Sequence, residues 1–384
     1  MTFFTQICQE IDVLCQKRAA EYPTRTHNHQ RLRAKLAEFC YWLQEQQTAA
    51  WQPNPKLLEM AKNLTPIFIG GYQKSGTTFI RDLLDGHPGL SVLPGDAKLL
   101  HTWTTILHFT SPMQKQFLRE LWIRKLVNPT GLPPFWLFGR RPEPYLNFLN
   151  YLDYWLAHIS DTKQSIIHAP PLAYFCTNPQ STLSTQYWVD KTPTQELELK
   201  TLKQIYPSSL FIHVIRNPLA SLASRKVMAA KWGRPFRLLR QLRIYRSSLQ
   251  QGLKQAAQSD YKIIRYEDVL AAPTQSMIEL SQCLDISSHG ALAQPSVNGL
   301  PSTANSAYEE NRIQGKIQGR SLDKWRQILT SREIAHITTA LYPDATAYGY
   351  DWRAEYPDLL TRTGLRSIQM TIQFSQHMKH LLFK

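Results

Sequence analysis

Across 384 residues, a 43% hydrophobic share with 17 Tyr, 15 Phe and 10 Trp excludes a disordered chain and supplies apolar surface for a large core. Lys and Arg outnumber Asp and Glu by 44 to 29, and the formal net charge of +15 favours an anionic partner: a polyphosphorylated nucleotide, an acidic polymer, nucleic acid or an anionic membrane surface. Cys8, Cys15, Cys40, Cys176 and Cys283 form no CxxC pair, which argues against a zinc site or a disulfide framework and fits a reducing compartment.

The N-terminus has neither a basic region nor a continuous apolar run of signal-peptide type, and no stretch reaches the ~18–20 apolar residues of a membrane span. A soluble, cytoplasmic protein is the expectation. Residues 1–50 read as helix, with Ile7, Ile11, Leu14 and Arg18 on one face and Leu32, Leu36, Phe39, Cys40 and Leu43 on another. Trp51-Gln-Pro-Asn-Pro is a linker. A first strand is expected near 66–70, then a helix to about Asp85. Residues 97–126 look helical, and a Pro-rich aromatic loop follows. Tyr145, Phe148, Leu149, Leu152, Trp155, Leu156 and Ile159 outline an amphipathic helix. Short strands are expected near 188–191, 209–215 and 261–266, with helices between them. That alternation predicts an α/β fold, a P-loop-like three-layer sandwich with a central parallel sheet flanked by helices. The expected organisation is a helical N-terminal extension over 1–60, a main domain over 61–355 and a basic amphipathic tail over 356–384. Arg362, Arg366, Lys379 and Lys384 lie beside Leu365, Ile368, Ile372, Met378 and Leu382 in that tail, a pattern suited to docking on its own domain or to weak contact with a membrane surface.

Pro66-Ile-Phe-Ile-Gly-Gly-Tyr-Gln-Lys-Ser-Gly-Thr-Thr-Phe-Ile-Arg-Asp-Leu-Leu is the most informative segment. Strand, polar turn and helix N-terminus in succession make a phosphate cradle, because free backbone N–H groups and the positive helix end face an anion. The Gly71-to-Gly76 spacing is that of a P-loop, but the residue after the second glycine is Thr77, followed by Thr78. The cation is Lys74, inside the loop. A second anion site follows Ser209-Leu-Phe-Ile-His-Val-Ile. A nucleotide-hydrolysing P-loop protein would end that strand in an aspartate for magnesium; here it ends in Arg216, a planar fork for phosphate. Ser224 lies two helical turns further on.

Gly-Tyr-Gln-Lys-Ser-Gly-Thr-Thr resembles the 5′-phosphosulfate loop of sulfotransferases, Arg216-Asn-Pro with Ser224 resembles their 3′-phosphate motif, and Tyr266-Glu-Asp resembles a third segment of that family. The similarity runs from about 64 to 352. Leu-Leu-Asp-Gly-His-Pro, Asp190-Lys191-Thr-Pro, Ser321-Leu-Asp-Lys-Trp and Gly349-Tyr350 are similar to the tyrosylprotein sulfotransferase branch and related bacterial enzymes. The resemblance implies 3′-phosphoadenosine 5′-phosphosulfate (PAPS) as donor, with no metal. It implies that Lys74, Ser75, Gly76, Thr77 and Thr78 hold the phosphosulfate, that Arg216 and Ser224 hold the 3′-phosphate, and that Tyr266 lies by the adenosine. Lys191 would reach the sulfuryl group. Asp96 falls where that branch carries its catalytic base; the other reading of Asp96 is a helix N-cap. His101 and His108 are fallback bases, Lys98 would meet an acidic acceptor, and Ser302, Ser306 and Lys316 are candidates for a late donor contact. Residues 135–138 line an acceptor cleft or pack in the core.

Three other functions compete. A P-loop kinase would need magnesium and a strand-end carboxylate. A nucleic-acid-binding protein would need a clustered basic motif, and none is visible, so no nucleic acid is expected. A non-catalytic relative would bind nucleotide without turnover. The acceptor (peptide tyrosine, glycan, lipid or small metabolite) and the oligomeric state stay open.

Overall fold

A computed structural model describes residues 3–20, 27–127, 136–158, 165–302, 308, 315–317, 322–353, 355, 357, 361 and 363–365. Five parallel strands form the central sheet: β1 (Thr65–Gly70), β2 (Leu90–Asp96), β3 (Tyr187–Lys191), β4 (Leu210–Ile215) and β5 (Tyr261–Arg265), in the order β2-β3-β1-β4-β5. The helices are α1 (Phe3–Ala20), α2 (His27–Glu45), α3 (Pro55–Lys62), α4 (Thr77–Leu84), α5 (Leu99–Ile106), α6 (Ser111–Val127), α7 (Glu143–His158), α8 (Ala169–Thr177), α9 (Leu199–Ile205), α10 (Pro218–Lys231), α11 (Leu238–Gln255), α12 (Tyr266–Ala271), α13 (Pro273–Cys283), α14 (Trp325–Ile328) and α15 (Ser331–Ala345). The expected α/β sandwich is therefore present.

Strand alternation sends side chains to two apolar layers. Ile67, Ile69, Ile212 and Val214 pack with Ile80, Leu83 and Leu84 of α4 and Met277 and Leu280 of α13. Phe68, Trp188 and Phe211 face the opposite layer, with Leu199, Leu202 and Tyr206. Helices α1 and α2 join that second layer through Ile7, Ile11, Leu14, Leu32, Leu36, Phe39 and Leu43, all buried as their spacing predicts. A third cluster joins α10, α11 and α15 around Tyr72, Leu219, Tyr245 and Ile337.

Four local expectations are corrected. Residues 90–96 form a strand at the sheet edge, so Asp96 ends β2 and is not a helix N-cap; Lys98, in the left-handed region, holds that place before α5. The helical reading of 97–126 divides into α5 and α6, with Ser111-Pro112 beginning the second. Tyr266 opens α12 and is not the last residue of β5. Within the expected linker, Asn54 accepts hydrogen bonds from the N–H groups of Lys56 and Leu57 and caps α3, with Pro55 as its first residue. Trp136, Leu137 and Phe138 are core residues packed near Phe39 and Tyr145; Phe135, Ser306 and most of the tail lie outside the described residues. No helix among the described residues is long and apolar enough to cross a membrane.

Candidate active site

In sheet order, the strand ends present Asp96 (β2), Lys191 (β3), the Gly71–Gly76 loop (β1), Arg216 (β4) and Tyr266 (β5). Because all five strands are parallel, every one of these positions lies at the same edge of the sheet. The connection from β1 runs towards β2, while that from β4 runs the other way to β5, so the crevice between β1 and β4 is the switch point where such sheets bind ligands.

The loop after β1 is backbone-driven. Gly71, Lys74 and Gly76 have φ of 144°, 70° and 100°. A Cβ on Gly71 would stand 2.3 Å from the Val214 carbonyl oxygen, and one on Gly76 would stand 2.3 Å from the Tyr266 ring. Only glycine fits there. No side chain caps α4, which leaves the first-turn N–H groups of Thr77 and Thr78 without intrahelical acceptors. Thr77 is buried and Thr78 partly so. The Ser75 hydroxyl is buried inside the loop and has no partner among the described residues. An anion with several oxygens would accept from these donors. From behind, the buried Glu196 carboxylate accepts the Gly71 N–H at 2.6 Å, and the Thr194 N–H donates to the Gly71 carbonyl at 2.8 Å. Burial pushes Glu196 up to about 7, against the hydrogen bonds it accepts.

Arg216 closes the other side. Its Nη1 donates to the Lys74 carbonyl at 3.1 Å, and its guanidinium lies 4.7 Å from the centre of the Tyr266 ring. The turn that aims it is held twice: the Tyr245 hydroxyl donates to the Arg216 carbonyl at 2.5 Å, and Glu267 accepts the Asn217 N–H at 2.8 Å. Tyr350 donates to the other Glu267 oxygen at 2.8 Å. Direct contacts thus unite Lys74, Gly76, Arg216 and Tyr266. Ser224 is buried on α10 and its hydroxyl bonds the Tyr308 hydroxyl at 3.2 Å.

Asp96 and Lys191 are register partners across β2 and β3 and form an ion pair. On its other side Lys191 is paired with Ile69 of β1, close to the loop. Lys125 of α6, which the sequence reading missed, donates to the main-chain carbonyls of Asp96 and, at 3.2 Å, of Ala97. Burial raises Asp96, but Lys191 above all, then Lys125 and Lys98, outweigh it and hold the carboxyl below its ordinary range. Asp190, buried behind the pair, accepts the Ala97 N–H at 3.2 Å and is pushed up by its burial. Lys98 is exposed beside this group; His101 and His108 are exposed on and just beyond α5, and Lys316 is exposed next to Gly315, whose N–H donates to the Ser302 carbonyl at 2.9 Å. Ser302 is buried near Asp82, itself paired with the buried Arg81.

Fold and site together define an α/β group-transfer protein whose anion cradle faces a lysine–carboxylate pair. Residues 66–289 match the sulfotransferase family, and the chain belongs to it. Protein-tyrosine sulfotransferase 2 of Gallus gallus is 22% identical over 326 residues, covering 78% of this chain and 72% of that protein. Among solved structures, the sulfotransferase domain of the Synechococcus PCC 7002 olefin synthase is 21% identical with a TM-score of 0.48, covering 76% of this chain and 96% of that one. The sulfotransferase domain from the curacin biosynthetic pathway is 18% identical with a TM-score of 0.46, covering 77% and 99%.

Proposed function

We propose that this sulfotransferase takes PAPS as donor and sulfates a hydroxyl on an acceptor that reaches the β2 side of the sheet. The observation that carries this is the row of strand ends, a two-sided anion site beside a lysine–carboxylate pair. The chemistry supplied by the bound donor is a sulfuryl group on a phosphate leaving group. Lys74, Ser75, Gly76, Thr77 and Thr78 would hold the phosphosulfate, with the Lys74 ammonium and the helix N–H groups balancing charge on the leaving oxygen. Arg216 and Ser224 would grip the 3′-phosphate, and the Tyr266 ring would border the nucleoside. Lys191 neutralises charge on the transferring group. Asp96 takes the acceptor proton at a carboxylate oxygen, which its lysine neighbours keep ionised at neutral pH.

The acceptor class is a peptide tyrosine, a glycan or a small metabolite, and the exposed Lys98 beside Asp96 favours one with negative charge near its hydroxyl. We place the protein in the cytoplasm; the free cysteines Cys8, Cys15, Cys40, Cys176 and Cys283 support that reading. A labelled-sulfate transfer screen from PAPS across acceptor classes, without added metal, tests the function. Transfer to one class is expected. Absence of transfer to all of them, together with no binding of adenosine 3′,5′-bisphosphate, would falsify it.

A further inference from the structure

We propose that Lys191 serves two partners in turn, Asp96 before the donor arrives and the donor's sulfuryl oxygens afterwards, so that donor loading uncovers the base. The inference rests on the donor reading above. Lys191 sits between two strands with different duties. Towards β2 its ammonium is paired with Asp96; towards β1 its backbone is locked beside the cradle, since the Thr192 N–H donates to the Ile69 carbonyl at 3.1 Å and the Thr194 N–H to that of Gly71 at 2.8 Å. The Lys191 side chain is 4% exposed and that of Asp96 34%, so the lysine is the inner member and Asp96 faces the open side.

A carboxylate paired with an ammonium is a weak proton acceptor, because transfer to it must overcome that attraction. The groups facing Asp96 are Lys191 and Asp190 from β3, Lys125 from α6, Arg81 from α4 and its neighbour Lys98. Lys125 is tied to the Asp96 and Ala97 carbonyls, which anchors the end of β2 when Lys191 turns away. Withdrawing Lys191 leaves Lys125 and Lys98 as the cations that favour the charged form of Asp96 against its burial, and makes the carboxylate more basic than before. The base is then strongest only once a sulfuryl group is in place, which favours binding of donor before acceptor.

A double-mutant cycle tests this. Affinities for PAPS and for adenosine 3′,5′-bisphosphate, which lacks the sulfuryl group, are measured by calorimetry for the parent, Asp96→Asn, Lys191→Met and the double variant. Asp96→Asn is expected to raise the PAPS-to-bisphosphate affinity ratio by about fivefold, since no ion pair is left to break, and to have no such effect in the Lys191→Met background. An unchanged ratio in Asp96→Asn, or an equal rise in both backgrounds, overturns the inference. Proton uptake gives a second readout with whichever single variant folds. At a pH near 5, PAPS binding is expected to take up more protons in the parent than in Asp96→Asn or Lys191→Met, because only the parent has an Asp96 that loses its strongest counter-charge; equal uptake overturns the inference. If the parent binds neither nucleotide, the donor assignment itself falls and takes this inference with it.

Discussion

Replacing Gly76 by alanine separates backbone strain from damage to the site. Gly76 has φ of 100°, outside what an L side chain adopts comfortably, and its Cβ would sit 2.3 Å from one ring atom of Tyr266 and 2.8 Å from another. Gly139 has φ of 75° with nothing within 4 Å of a Cβ. Both alanine variants meet the left-handed penalty, on the order of 1–2 kcal/mol, so both should lose a comparable part of their stability in chemical denaturation. Gly76→Ala must also push the Tyr266 ring aside. That ring lies against the Arg216 guanidinium, which in turn holds the Lys74 carbonyl. The displacement should therefore weaken binding of adenosine 3′,5′-bisphosphate at least tenfold, about 1.4 kcal/mol, while Gly139→Ala binds normally. Calorimetric titration of the two folded variants is the assay. Equal affinities would refute the claim that this glycine makes room for the ring that braces the phosphate-binding arginine.

Glu196→Gln keeps an oxygen for the Gly71 N–H but removes the titration. With its folded value raised to about 7, Glu196 favours folding below the unfolded range near 4.5, and that contribution is lost as pH rises through 7. The parent should thus lose up to about 3 kcal/mol between pH 5 and 8 relative to Glu196→Gln, read by urea denaturation at both values; parallel curves would count against it. Lys125→Met removes a charge that keeps Asp96 ionised, so the acid limb of turnover should move to higher pH, and a limb that stays put would exclude the coupling. Arg216→Lys cannot both stack on Tyr266 and bond the Lys74 carbonyl, and bisphosphate affinity should fall about tenfold or more with little change in melting temperature. Affinity within twofold of the parent would show that a point charge is enough there.

The cradle was legible because its signals are local: an apolar strand, two glycines at fixed spacing and a helix start. Arg216 was legible for the same reason, closing an unbroken run of strand formers. The edge strand β2 was not, since Pro94 and Gly95 interrupt it. The structure accommodates them with a register shift between Val92 and Asp96, a device most easily tolerated at a sheet edge. Lys125 and Glu196 escaped notice because they reach the site from segments 29 and 125 residues away from their partners. The roles of Glu267 and Tyr350 were hidden likewise. Both looked like parts of short motifs, and only the fold shows that they brace the turn carrying Arg216.

Placing the carboxylate on an outer strand has a consequence for how such a protein can change its clientele. The three inner strands, β3, β1 and β4, end in Lys191, the glycine loop and Arg216 and are packed on both faces, so almost any alteration there disturbs two layers at once. The rim strand pairs with a neighbour on one side alone, but its residues 90–95 are buried, so length and path are fixed by packing there too. What can vary with little repacking is the charge carried past its tip, at the exposed Lys98, and a new target preference is most easily grafted at that point.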